Sequence, residues 1–255
     1  MKNRLKTLLW GLSSFIVIII IWGLFTYTRI IKPFFLPTPT EVLIALFDLF
    51  TKYNFIEDVS ISVFRILTGF IIAVIMAIPV GVSIGLSKKF QSFIEPIIDF
   101  IRYTPIPAFI PLLILWFGIG ELEKIIVIVL AVFFQLVLMV SNSISHVPKD
   151  IIEFAKTLGV NKKELITKVI YQHAKPRIFD DLRVSMGWAW AGLMIAEIVG
   201  ATSGIGFVII QSQRLLRTEN VISAIIIVGL LGLITDFVFK IAYKKLYPWA
   251  EKETQ

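Results

Sequence analysis

Four stretches of this sequence run for about the length of a bilayer-crossing helix without a charged side chain: Thr7 to Thr28, Ile66 to Ser87, Tyr103 to Gly120 and Ile125 to Pro148. Two further intervals hold one charge each, Glu197 within Val184 to Gln213 and Asp236 within Asn220 to Phe239. About 20 consecutive apolar residues are needed to cross the hydrocarbon. The intervals therefore predict an all-α membrane protein of about six transmembrane helices, at roughly 8–28, 64–86, 96–117, 124–144, 180–201 and 220–241. Residues 1–255 read as one transmembrane domain. Composition agrees, since 57% of the chain is apolar and only 17% charged, against about 25% charged in a soluble domain. Disorder, a collagen-like fibre and a disulfide scaffold are excluded. With no Cys, so are a thiolate metal site, a thiol nucleophile and disulfide switching.

The first interval follows Lys2, Arg4 and Lys6 and so has the basic front of a signal peptide. Its apolar run is longer than the usual 7–15-residue core of such signals, and no A-x-A pattern follows it. It is read as a first membrane helix. Six spans put both termini on one side, and basic residues choose which. If the N-terminus is inside, the inner segments hold 17 of the 25 Lys and Arg residues, among them Lys88, Lys89, Lys149, Lys162, Lys163, Lys240, Lys244, Lys245 and Lys252. The outer segments hold 7: Arg29, Lys32, Lys52, Arg65, Lys124, Arg214 and Arg217. Both ends are therefore expected in the cytoplasm. The net charge of +7 is read as basic flanks on spans in a lipid bilayer, with no nucleic-acid partner.

Thr38-Pro39-Thr40-Glu41 reads as a capping box with Pro at the first helical position, opening a short outer helix over Val42 to Leu49. In the third span Pro105, Pro107 and Pro111 each remove a backbone donor. Either they turn the span toward a watery pathway, which the bilayer tolerates, or they make a kink that improves packing. Between spans four and five lies a segment, 145–177, in which Pro148 opens a helix and Gly159 stops it. Asn161-Lys162-Lys163-Glu164 opens a second, running to about His173. Ile151, Ile152, Phe154, Ala155 and Leu158 are too apolar for a solvated loop. They either dock into a partner or pack on their own bundle.

Glu153-Phe154-Ala155, three residues, Gly159, nine residues and Val169 resemble the "EAA" loop of ATP-binding-cassette importer permeases. Phe154 stands where that pattern has a second Ala, and Tyr171-Gln172 where Leu-Pro is usual. Phe35-Leu36-Pro37-Thr38-Pro39, Arg65 through Phe70, Pro111 through Gly120, and Ala196-Glu197 with Gly204-Ile205-Gly206 are similar to the nitrate/sulfonate/taurine/bicarbonate branch. The resemblance implies a type I importer permease with the MetI-like fold in the bacterial inner membrane. It implies a second permease copy (a homodimer), two cytoplasmic ATPase subunits that hold ATP and Mg, and an external solute-binding protein. Glu153, Phe154, Ala155, Leu158 and Gly159 would couple the permease to the ATPase. The solute would be a small anion such as a sulfonate, nitrate or taurine, passed by alternating access; similar proteins carry thiamine precursors or riboflavin.

Single residues leave alternatives. Glu197 lines the route or is a buried partner for a cation such as Arg65. Arg102 touches solute or pairs with Asp99, three residues away on one helix face. Pro107 belongs with the candidate pathway, and Trp188 and Trp190 line it or pack. Gly204-Ile205-Gly206 reads as a tight outer turn, because a lone G-x-G is no nucleotide signature. His146 and His173 lack the spacing of a metal site, and without G-x-x-x-x-G-K-[ST] this chain is not expected to be an enzyme or to bind a cofactor. A secondary transporter would show inverted repeats. A membrane hydrolase would need a catalytic set in the spans, and neither feature is visible.

Overall fold

The structure, a computed structural model, describes residues 2–250, with side chains at Trp10 and from Ser13 to Ala250. Lys252 and the side chains of Lys2, Arg4 and Lys6 lie outside the described residues. The described residues form helices and connections, with no strand. Four helices are long and apolar enough to cross a membrane, and a sharply bent pair makes a fifth candidate. Helix α1 (Lys2–Tyr27) contributes a further apolar stretch, Ser13–Tyr27.

The central helix is α6 (Glu121–Ser145), packed by α3 (Phe55–Leu86) and α9 (Tyr171–Gly200). Small residues every fourth position let α3 come close: Gly69, Ala73, Ala77, Gly81 and Gly85. Ala73 and Ala77 are fully buried. A Cβ on Gly69 would stand 2.7 Å from the Ile128 side chain, and one on Gly81 would stand 2.7 Å from the Val137 carbonyl oxygen. Within lipid, where apolar side chains gain little by leaving their surroundings, such close approach supplies the packing that joins helices. Gly192 plays the same part for α9, where a Cβ would lie 2.6 Å from that of Ala131. Val132, Leu136, Val137 and Val140 of α6 fill the resulting core. The opposite face of α3 carries large apolar side chains, among them Ile71 and Ile75, exposed as a lipid-facing surface requires.

α3 begins at Phe55, ahead of the expected start at 64. Glu57, Asp58 and Arg65 break the charge-free run, but Asp58 and Arg65 are hydrogen-bonded within the bundle. The connection before it matches expectation. Helix α2 (Pro39–Lys52) opens with the Thr38–Glu41 capping box and extends past Leu49. It buries Val42, Ala45 and Leu49 against α11 (Thr218–Leu246), whose Ser223 hydroxyl donates to the Val42 carbonyl at 2.9 Å.

The third span, expected as one irregular helix over 96–117, is two helices. α4 (Lys88–Tyr103) and the segment ending in α5 (Ile110–Phe117) meet at 91°. Thr104 is driven into an extended conformation by Pro105 (ψ 125°). Pro107 and Pro111 then sit in the first turns of a 3-10 turn, Ile106–Phe109, and of α5. At those positions the missing donor would be unpaired in any case. The prolines restart helices and take no bond from the middle of one.

At the Ser145 end, α7 (Lys149–Thr157) starts after Pro148 and ends as the sequence predicts. Gly159 is left-handed at φ 77°, and Val160 N–H donates to the Ala155 carbonyl at 3.3 Å, as in a Schellman turn. The following helix does not end near His173. α8 (Lys162–Glu164) opens on Asn161, whose Oδ1 accepts the Glu164 N–H at 3.0 Å, and passes through a π-turn, Leu165–Ile170, into α9. The apolar positions Leu165, Ile170, Ala174 and Ile178 are buried along it, so the core carries the helix across the expected boundary. α10 (Ile205–Arg214) and α11 complete the chain.

Candidate functional site

Three places hold the residues that the sequence singles out. The first is α7. Its buried contact is Ala155, 5% exposed, which joins the core with Val147, Leu165 and Ala174. Glu153 lies on the exposed side. Phe154 and Leu158, one turn apart and hence on one face, are 66% and 67% exposed. Lys149, Asp150, Glu153 and Lys156 surround them in sequence, which is not the pattern of a helix lying in lipid. A Cβ on Gly159 would meet nothing within 4 Å, so the requirement for glycine there is conformational: at positive φ a side chain is strained.

The second lies at the other end of α6, roughly 35 Å away along a helix rising about 1.5 Å per residue. Arg65 and Glu197 are each 1% exposed. The Arg65 guanidinium donates from Nη1 to Glu197 Oε1 (2.8 Å) and to the Ser203 carbonyl (2.8 Å). From Nε and Nη2 it grips both oxygens of Glu121, at 2.6 and 2.5 Å, the forked geometry that suits Arg to carboxylate. Glu197 also accepts the Ser62 hydroxyl at 2.7 Å and the Gly206 N–H at 2.8 Å. The free N–H groups at the start of α10 are thus satisfied one by one. Asp58 takes that of Gly204 at 2.6 Å, Ser62 that of Ile205 at 2.9 Å, and Glu197 that of Gly206. Gly204, at φ 108°, has no room for a side chain, because a Cβ would collide with the Glu197 carboxylate and Arg65. The expected tight turn at Gly204-Ile205-Gly206 is a helix start capped by two neighbouring helices.

Asp58, Ser62, Glu121 and Ser203 escaped sequence reasoning. The spacing of Asp58, Ser62 and Arg65 puts all three on one helix face, a signal that could have found the first two; it gives none for Glu121 and Ser203, which lie outside α3.

The third place is the bend between α4 and α5. Arg102 Nη2 donates to Asp99 Oδ1 at 3.2 Å, and its guanidinium lies 4.4 Å from the Tyr103 ring centroid. Pro107 is exposed in the 3-10 turn. Arg102 and Trp188 line a cavity of about 260 Å³, while Trp190 is buried and donates to the Thr235 hydroxyl at 3.3 Å. The structure brings Arg65 together with Glu197 and leaves Arg102 and Pro107 apart from them. Among the described residues no three His, Cys, Asp or Glu side chains gather as a metal site.

The family description "Binding-protein-dependent transport system inner membrane component" matches residues 69–248, from the small-residue stripe of α3 through α7 to the end of α11. The chain belongs to this family. As a transport-system membrane component it has similar relatives of nearly full length. It is 32% identical to the putative aliphatic sulfonates transport permease protein SsuC of Bacillus subtilis, over 94% of this chain and 87% of that protein. It is 30% identical to the taurine transport system permease protein TauC of Escherichia coli, over 94% and 89%. To the bicarbonate transport system permease protein CmpB of Synechococcus elongatus it is 28% identical, over 92% and 88%. In fold this permease is similar to a chain of the MetNI methionine ABC transporter, solved in inward-facing conformations. The TM-score is 0.63 at 17% identity, over 74% of this chain and 96% of that one. The MetI-like fold expected from the sequence is the fold observed.

Proposed function

We propose that this ABC importer permease passes a small oxoanion from an extracytoplasmic binding protein to the cytoplasm by alternating access. It does so as one of two copies, each seated on an ATPase subunit that holds ATP and Mg. The observation that carries the reading is α7: a nine-residue helix, fixed on the core through Ala155 and closed by Gly159, offering Phe154 and Leu158 to a partner. The face is small, apolar and ringed by charge, as the centre of a protein–protein contact is. Glu153 stands beside it, where a basic residue of the ATPase can meet it. The Arg65–Glu197–Glu121 network serves as a fixed joint that holds α3, α6, α9 and the start of α10 together while the other end moves. The relatives' named solutes, aliphatic sulfonates, taurine and bicarbonate, share an anionic oxygen group, which supports the substrate class. The 17-to-7 basic asymmetry supports both termini, and α7, lying in the cytoplasm of a bacterial inner membrane.

Reconstitution with the ATPase and binding protein into proteoliposomes tests the reading. ATP-dependent accumulation of taurine, ethanesulfonate or bicarbonate is expected. Uptake at an equal rate without ATP would instead mark a secondary transporter.

A further inference from the structure

Two arginines of the helical bundle, Arg65 and Arg102, are used in opposite ways. Arg65 has both carboxylates and the Ser203 carbonyl on its guanidinium and is 1% exposed. Arg102, its side chain 30% exposed, has the Tyr103 ring beside it and one long bond to Asp99, and its buried Nε has no hydrogen-bond partner. A guanidinium inside a membrane protein marks a functional place by default, and one left short of acceptors retains the capacity to take another.

What surrounds Arg102 identifies that acceptor. α4 is an amphipathic helix turned inside out. Phe93, Ile97, Phe100 and Tyr103 are exposed, while Gln91, Glu95, Asp99 and Arg102 line a cavity of about 460 Å³ against Ser141, Asn142 and Ser145 of α6. A polar stripe facing such a cavity, with apolar side chains on the outside, is tolerated where it meets water. The cavity runs beside the Ser145 end of α6, the end that bears α7. Arg102 also walls the second cavity, of about 260 Å³, on the side of the α4–α5 bend. There Ile106, Phe109, Phe134 and Trp188 supply apolar surface, and Thr104 and Gln135 supply hydrogen-bonding groups. Arg102 is common to both spaces.

We infer that Arg102 is the solute-recognition residue of this permease, and that the cavity at the bend takes a small anion bearing a short alkyl group, such as an alkylsulfonate. The inference rests on the importer reading above and deepens it. A single cation answers the anionic head, and the apolar wall answers the alkyl part; a bare inorganic anion leaves that wall unused. Asp99 occupies Arg102 when the site is empty and is displaced by the arriving anion. The inward polar stripe of α4 then provides the hydrated way out.

Binding of ethanesulfonate to the permease–ATPase complex in nanodiscs, without the binding protein, tests the assignment. R102Q is expected to weaken it about ten- to hundredfold, the loss of a charge-assisted hydrogen bond, and R102K to restore part of it. D99N removes the competing carboxylate and tightens binding, so the test survives even if R102Q fails to fold. Nitrate is expected to compete about tenfold less well than ethanesulfonate, since it lacks two buried carbons. No binding by the unsubstituted complex, or R102Q and D99N both binding as it does, overturns the assignment; nitrate competing equally well overturns the alkyl part of it. ATP-driven uptake measured alongside separates the two levels. Anion uptake insensitive to R102Q and D99N refutes the Arg102 site and leaves the importer standing, whereas no uptake of any anion refutes both.

Discussion

Buried charge at the start of α10 is tolerated because Arg65 and Glu197 each meet specific partners. Glu197 is the single acid in a long apolar run, and it accepts from the Ser62 hydroxyl, the Arg65 guanidinium and the Gly206 N–H. Its removal takes one of the two carboxylates from Arg65 and leaves the buried Ser62 hydroxyl and Gly206 N–H without their acceptor, a loss of about 3–5 kcal/mol for a broken buried ion pair. Glu197→Ala is therefore expected to lower the unfolding free energy of the detergent-solubilised permease by about that amount. Glu121 binds the same arginine, but its side chain is 49% exposed; there solvent screens the loss, and Glu121→Ala should cost about 1 kcal/mol. Denaturation followed by tryptophan fluorescence measures both, and equal losses would contradict the ranking. The sequence made Glu197 and Arg65 conspicuous as isolated charges near apolar runs. It could not pair Arg65 with Glu121, because only the folded α3–α6 contact brings residues so distant in the chain together.

At the scale of elements, the absence of charge located the membrane helices but not their joints. A charge-free interval treats Gly and Leu alike, so it passed over the four-residue rhythm of Gly69, Ala73, Ala77, Gly81 and Gly85 that sets how closely α3 lies on α6. That rhythm makes a prediction. Gly81→Ala puts a methyl group 2.7 Å from the Val137 carbonyl oxygen and should destabilise the permease by about 1–3 kcal/mol through overpacking. Gly229→Ala in α11, with nothing within 4 Å, should be neutral or stabilising by up to about 1 kcal/mol. Thermal unfolding of the two variants side by side decides it. The three prolines of the third span announced an irregularity but not a 91° bend, because whether a proline interrupts a helix or begins one depends on where the preceding helix stops. Capping chemistry was more readable. Pro148 and Gly159, like Thr38 and Glu41, act on their nearest neighbours, and those ends formed as read. The end expected near His173 did not, because buried Ile170, Ala174 and Ile178 outweigh any local stop signal.

In the proposed whole molecule, a joint lies at one end of α6 and a partner-docking helix at the other, with the Arg102 cavity and the polar stripe of α4 between them. Its sidedness is open to direct measurement. Because the chain has no Cys, single cysteines introduced at Lys52 and Lys163 are free of background. A membrane-impermeant maleimide applied to intact cells is expected to label the first and to reach the second only after permeabilisation. Labelling in the reverse sense would invert the orientation. The central claim is that α7 transmits the ATPase cycle, and the double variant Phe154→Ser with Leu158→Ser tests it most directly. Both side chains are already exposed, so the permease should keep its fold and its membrane insertion. Each well-packed apolar anchor at an interface is commonly worth more than about 1 kcal/mol. In proteoliposomes carrying the whole importer, the account predicts at least a roughly tenfold weaker association with the ATPase (about 1.4 kcal/mol), together with loss of ATP-driven uptake. Unchanged association and normal uptake in that variant would contradict it.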